Sequence, residues 1–191
     1  MSFDDVLVAL TTYPELTATS AVDDAISLAV ALEAQISAIA CMVEIQVPGS
    51  PMGTAFLNVG AMVAAENSKS KVNSDGLLNA FQSAAEKHGV FQERILAKCL
   101  ASQVSDVLVD YARLRDLTIV PIPEGDYFGQ SCAESIIFGS GRPTIVLPQT
   151  RVRSGAITLD TVVVAWDFGR PASRAVADAL PILKKRKKYS S

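Results

Sequence analysis

The residues with the most obvious chemical reach are three cysteines, one histidine and four early aspartates. Cys41, Cys99 and Cys132 are scattered, odd in number and form no C-x-x-C pair, so a zinc cluster or a disulfide framework lacks the spacing it needs. They read as buried, reduced thiols. His88 is the only histidine and lies in Lys87-His88-Gly89, a setting that suits a helix C-terminus, where partial positive charge is favourable. Asp4, Asp5, Asp23 and Asp24 stand near expected strand starts and helix N-termini, where acids answer ordinary electrostatics rather than a metal. No G-x-S-x-G is present, so the serines lack the nucleophile elbow of a hydrolase. Gly139-Ser140-Gly141-Arg142-Pro143 is glycine-rich, but it follows a helix-like segment and precedes an apolar run. That is the wrong polarity for a phosphate loop, and the run reads as a helix C-cap and turn. No catalytic residue and no metal ligand is expected.

One loop remains where a ligand can be held. Leu117–Ile122 is a short apolar run, followed by a turn-rich stretch, a helix-like segment at Ala133–Phe138, and a second apolar run at Thr144–Leu147 between Pro143 and Pro148. This strand–loop–helix–strand order is a βαβ crossover, the unit of a buried parallel sheet. In such sheets ligands sit at the carboxyl ends of the strands.

The rest of the chain supplies similar units. Asp5–Leu10 and Ile36–Val43 are continuous apolar runs suited to strands covered on both faces. Between them Ala21, Ala25, Leu28, Ala29 and Leu32 recur at helical spacing, and Ser20 with Asp23 resembles a capping box. Val47–Leu57 contains two prolines and two glycines and reads as a loop. A long helical region follows from about Asn58 to His88, with the polar stretch Asn67–Gly76 as a candidate interruption. Arg94–Leu100 alternates more than the first two runs, which suits a third strand near an edge. Ser102 or Ser105 is placed to cap the next helix, which runs through Val104, Val107, Leu108, Tyr111 and Leu114. Strand and helix alternate throughout, which predicts an α/β fold with a parallel, doubly wound, five-stranded sheet.

The totals agree with one such domain and something over. The chain has 191 residues, 49% hydrophobic and 19% charged, enough for a packed core. Its formal charge is −3, but Lys184–Lys188 (KKRKK) holds five of the 17 basic residues. The remainder carries 12 basic residues against 20 acidic ones, a charge of −8, which disfavours a nucleic-acid backbone. The basic run itself reads as the solvated end of a helix beginning near Pro171. An acidic start and the lack of any apolar run near about 20 residues point to a soluble, cytoplasmic protein with no membrane partner.

After residue 149 the pattern restarts. Residues 150–159 form a polar linker, and Asp160-Thr161-Val162-Val163-Val164-Ala165 echoes Asp5-Val6-Leu7-Val8-Ala9. Ala175-Val176-Ala177-Asp178-Ala179 likewise echoes Ala21-Val22-Asp23-Asp24-Ala25. Residues 1–149 thus read as a complete domain and 160–191 as the first strand and helix of a second repeat. Thr161–Trp166, an apolar strand without sheet neighbours of its own, is expected to dock on the first domain or on a second chain, near Thr144–Leu147.

The strand–helix order, Glu134–Leu147 (ESIIFGSGRPTIVL) and the second start VVVAWDFGRPASRAVADALPIL resemble the universal stress protein family, in particular its two-domain bacterial members. The resemblance implies a sheet of order 3-2-1-4-5 with helices on both faces (the adenine nucleotide alpha hydrolase-like fold), a dimer through the last strand or pairing with related stress proteins, and ATP binding in many members. It gives Thr11, Val43, Pro121, Gly125 and Ser131 as the cofactor-binding positions. Departures from the family's pattern are concentrated there. The acid that ends the first strand is Thr11, although the second start keeps Asp167. The first glycine of Gly-x-x-Gly is Ile122, with Gly125 retained. The closing pair is Gln130-Ser131, and the loop is about five residues short. Ile122 and Pro123 cannot bring backbone amides to phosphate oxygens as glycine does, and Ser131, at an expected helix start, is left as the anion-binding remnant. What the resemblance implies is a non-enzymatic stress-response binding or interaction protein with a degenerate nucleotide site. The alternative is an adenine-nucleotide (ATP) binder, with weak or no hydrolysis, using the loop Pro121–Ser131.

Overall fold

The computed structural model describes residues 2–13, 15–45, 59–149 and 157–185. The Pro/Gly-rich stretch at 47–57, most of the polar linker and the last three residues of the KKRKK run lie outside the described residues. Five strands alternate with helices: β1 (Asp5–Leu10), α1 (Thr19–Leu32), β2 (Gln35–Glu44), α2 (Val59–Lys87), β3 (Phe91–Leu100), α3 (Val104–Arg113), β4 (Leu117–Ile122), α4 (Tyr127–Gly139) and β5 (Thr144–Pro148). All ladders are parallel and the sheet order is β3-β2-β1-β4-β5. Helices α5 (Arg170–Asp178) and α6 (Leu180–Lys185) follow.

The central strand builds a core on each face, because successive side chains of a strand point to opposite sides. Val6, Val8 and Leu10 pack with Val22, Ile26 and Ala29 of α1 and with Leu78 and Phe81 of α2. Leu7 and Ala9 join Leu108 and Ala112 of α3 and Cys132 and Ile136 of α4. This two-sided burial is why β1 and β4 are nearly uninterrupted apolar runs. β3 is an edge strand, as its alternation predicts, and it is half exposed with charged side chains outward.

Several local expectations are corrected. Helix α1 begins at Thr19 after Ala18 and has no side-chain cap, so Ser20 already lies inside the helix and the Ser20/Asp23 box does not form. Neither Ser102 nor Ser105 caps α3; a short turn at Ala101–Gln103 leads into it, and the Gln103 side chain accepts from the Leu100 amide. Helix α2 is continuous through Asn67–Gly76 because those polar groups have partners. Ser70 Oγ accepts from the Val43 amide at 2.9 Å, and the Asn67 side chain both accepts from and donates to the Ile45 backbone. The helix ends as His88 suggests: Gly89 is left-handed at φ +69°, and the Val90 and Gly89 amides bond back to Ala85 and Glu86 carbonyls, a Schellman closure.

At the base of the sheet Asp5 and Asp116 are structural. Arg115 donates to Asp5 and Glu93, and Asp116 accepts from the Asp4 and Asp5 amides. Among the described residues no group of three or more His, Cys, Asp or Glu is placed to hold a metal ion, and no helix is long and apolar enough to cross a membrane.

The chain beyond the sheet departs furthest from expectation. Among the described residues Thr161–Asp167 has no ladder partner, and it is not a strand. The helix expected from Pro171 is two helices, parted at Ala179, because Pro181 has no amide to donate to the Ala177 carbonyl one turn back. What does dock on the helices over the sheet lies on either side of the unpaired segment. Ile157, Leu159 and Ile182 pack against the α1–α2 core, and the Ile157 amide donates to Ser27 Oγ at 3.0 Å. Lys185 is not a solvated terminus. Its Nζ donates to the Leu32 carbonyl at 2.6 Å and the Ala31 carbonyl at 3.4 Å, and pairs with Glu33 at 3.1 Å.

Candidate nucleotide crevice

The strand order reverses between β1 and β4, so their chains leave for opposite faces of the sheet and open a crevice at the carboxyl ends. The β1–β4 ladder stops at Val8–Ile119, while β4 continues to Ile122 beside β5. Pro121 exploits that split. Ile122 faces β5, accepting from the Gln149 amide, so by alternation Pro121 turns its nitrogen toward β1, where the ladder has ended and no donor is needed.

Of the five positions given by resemblance, Thr11 and Val43 already have their backbone amides committed. Thr11 closes on its own loop: its amide donates to Thr17 Oγ1 at 2.8 Å, and its carbonyl accepts from the Thr17 amide at 2.9 Å. Thr12 Oγ1 donates to the Cys41 carbonyl. The Val43 side chain is buried and its amide is held by Ser70. Thr11 and Val43 do meet, together with Leu10, Tyr13, Cys41, Val104, Leu108, Phe128 and Cys132, around a void of only about 10 Å³. A single water needs about 10–15 Å³ by the same kind of measure. Phe128 from α4 and Tyr13 from the loop after β1 both line this void and pack against the core beneath it.

The loop after β4 is equally closed on itself. Pro123-Glu124-Gly125-Asp126 is a tight turn closed by the Asp126 amide on the Pro123 carbonyl at 3.3 Å, with Gly125 at φ +80°; only glycine takes that position without strain. Helix α4 therefore starts at Tyr127, well before the expected Ala133. Its N-cap is Asp126, whose Oδ1 accepts from the Phe128 amide at 3.0 Å. Ser131 is not at a helix start. It is exposed in the second turn, its carbonyl accepting from Ser135 Oγ. The amides that would meet an anion face a carboxylate of the protein's own. Gly129 lies close beside it: a Cβ there would stand 2.4 Å from Asp126 Oδ2, and the carboxylate would have to shift. Sequence reasoning puts the anion-binding helix start at Ser131; Asp126, directly before the helical run, is the N-cap signal that locates the true start.

A second, open cleft of about 380 Å³ lies outside the turn, between Ile122–Tyr127, Gln130 and the β5 residues Val146 and Pro148. It does not include Thr11, Val43 or Ser131.

The three thiols are buried. Burial raises Cys41 well above the ordinary thiol range, and its neighbour Cys99 adds to the shift. Burial likewise raises Cys99 and Cys132. They are neutral core groups. The Gly139–Pro143 run is a helix end and turn, with Gly141 at φ +68° and Ser140 Oγ accepting from the Arg142 amide.

No protein-family model matches this sequence, and no curated protein does. Solved structures do match in three dimensions. A universal stress protein in complex with cAMP is 15% identical with a TM-score of 0.50, over 78% of this chain and all of that one. The universal stress protein UspA from Lactobacillus plantarum is 12% identical with a TM-score of 0.56, over 77% of this chain and 99% of that one. The five-stranded parallel sheet of order 3-2-1-4-5 with helices on both faces is the fold of the universal stress proteins.

Proposed function

We propose that this chain is a universal-stress-protein-like, non-enzymatic binding and interaction protein of the cytoplasm, in which the switch-point crevice no longer accepts ATP. One observation carries the reading: the space beside Thr11 and Val43, walled by Phe128 and Tyr13 among others, is only about 10 Å³. The Asp126 carboxylate at the start of α4 supports it, because like charge at the phosphate end opposes a polyphosphate. Among the described residues lining the void there is no nucleophile–base pair, which suits binding better than turnover. Residues 160–191 fit the opening of a second repeat, and pairing with another copy or a related stress protein fits the unpaired outer edge of β5.

The second reading, an adenine-nucleotide binder, is favoured by the cAMP bound to one protein of this fold and by the open cleft along Pro123–Gln130. Thermal shift with ATP–Mg²⁺ and with cAMP separates the two. A ligand at 100 times its Kd adds about 2.7 kcal/mol to the native state. The proposal expects no shift from either nucleotide in the wild-type protein, and a measurable cAMP shift in Phe128→Ala, which empties the crevice. A clear wild-type shift, with nucleotide retained through purification, would establish the second reading instead.

A further inference from the structure

Thr161–Trp166 is the least accommodated stretch of the described chain. Its six residues carry no charge, Val163 is 89% exposed, and Val164 and Trp166 are about half exposed. Among the described residues no hydrogen bond reaches any of its backbone groups. Three consecutive valines followed by Ala and Trp favour extended, sheet-like backbone. Exposed apolar sequence of this kind, with free donors and acceptors, is ready for strand addition. The segment is held in place from both ends, through Ile157 and Leu159 on one side and Ile182 and Lys185 on the other.

The sheet has two edges, and only one suits such a strand. The β3 edge presents Glu93, Arg94 and Lys98, with Lys98 paired to Glu44. Charges of that kind discourage an apolar strand. The β5 edge, Thr144-Ile145-Val146-Leu147, is uncharged, and Val146 is 45% exposed. The Pro143 carbonyl and Gln149 amide bond to β4, so alternation turns the backbone groups of Thr144 and Val146 outward, away from β4. Thr144 Oγ1 is also buried without a partner.

We infer that Thr161–Trp166 of one copy of this chain adds as a sixth strand to the outer edge of β5 in a second copy. The exchange is reciprocal, so each copy supplies both a strand and an edge and the contact closes on itself as a dimer. This rests on the pairing half of the proposed function and is independent of the nucleotide crevice.

The test uses the full chain. Light scattering over a dilution series is combined with emission from Trp166, the only tryptophan, and with hydrogen exchange at the Thr144 and Val146 amides. The inference expects a concentration-dependent dimer, a blue shift of Trp166 and slowed exchange at both amides on association. Val163→Pro removes a donor from the middle of the added strand at a residue with no hydrogen bond to lose, so the fold stays intact by circular dichroism. The dimer Kd should weaken by about tenfold or more. A monomer at every concentration overturns the inference, and so does a monomer whose Thr144 and Val146 amides are already protected. A dimer unmoved by Val163→Pro, with Trp166 emission unchanged, overturns it too while leaving pairing through another surface standing.

Discussion

The Asp126 carboxylate accepts the Phe128 amide at 3.0 Å, and this one bond changes both ends of the candidate crevice. It starts α4 early, which carries the Phe128 ring into the space beside Thr11 and Val43, and it sets a negative group where the first amides of the helix point. Replacing Asp126 by Ala should cost about 1 kcal/mol, the usual value of an N-cap. Asn, which caps without charge, should restore most of it. Urea denaturation of the two variants checks this; equal losses would mean that charge, not the cap, stabilises the turn.

Ser70 is fully inside and its Oγ accepts the Val43 amide at the carboxyl end of β2. Ser70→Ala leaves that amide buried and unpaired, so a loss of about 1–3 kcal/mol is expected. Ser74, whose hydroxyl donates to the Ser70 carbonyl one turn back in the same helix, should matter less, since that carbonyl already has its helical partner. Chemical denaturation of both alanine variants should preserve that order.

Cys41 gives the stability curve a definite pH slope. Burial, then the Cys99 thiol, raises it above its ordinary range, so the folded state holds the proton more tightly than the unfolded chain does. Its contribution is complete below the unfolded thiol value of about 8.5 and is lost as pH rises beyond it. The urea midpoint of the wild-type protein should therefore fall faster than that of Cys41→Ala above about pH 8.5. The native protein should also resist thiol alkylation at neutral pH, reacting only on unfolding.

Lys185 supplies donors to the last carbonyls of α1, from Ala31 and Leu32, while Glu33 ends that helix at φ +58°. Lys185→Ala should lower stability by about 0.5–1.5 kcal/mol and speed hydrogen exchange in α6 without changing exchange in β1. Glu33→Gly should stabilise by up to about 1 kcal/mol, because glycine takes the left-handed conformation freely and the exposed ion pair it removes contributes little.

The layered sheet was legible because its strands are buried on both sides and read as continuous apolar runs: Asp5–Leu10, Ile36–Val43 and Leu117–Ile122 all appear near their expected bounds. The continuity of α2 was not, since nothing in Asn67 or Ser70 tells that β2 backbone groups two dozen residues earlier will take up their side chains. Within the site, the stiff residues that follow β4's core, Ile122 and Pro123, were readable. The start of α4 was not, because a helix boundary depends on which of two nearby candidates, Asp126 or Ser131, the turn at Gly125 favours. At Thr161–Trp166 composition reads as strand, but forming one requires a neighbour, and no described part of the chain provides it.

The strand order also sets a sequence of events during synthesis. β1 lies between β2 and β4, and β2 arrives about 25 residues after β1 whereas β4 arrives more than 100 residues later. Domains fold from the N-terminus as they are made, so β1, β2 and β3 can assemble with α1 and α2 while one side of the most apolar strand stays bare. Until Leu117–Ile122 leaves the ribosome, that side is a vacancy for any passing strand, and closing it is a long-range contact of the kind that slows folding. Production of soluble protein should thus respond more to holdase chaperones acting on the nascent chain than the stability of the finished fold would suggest.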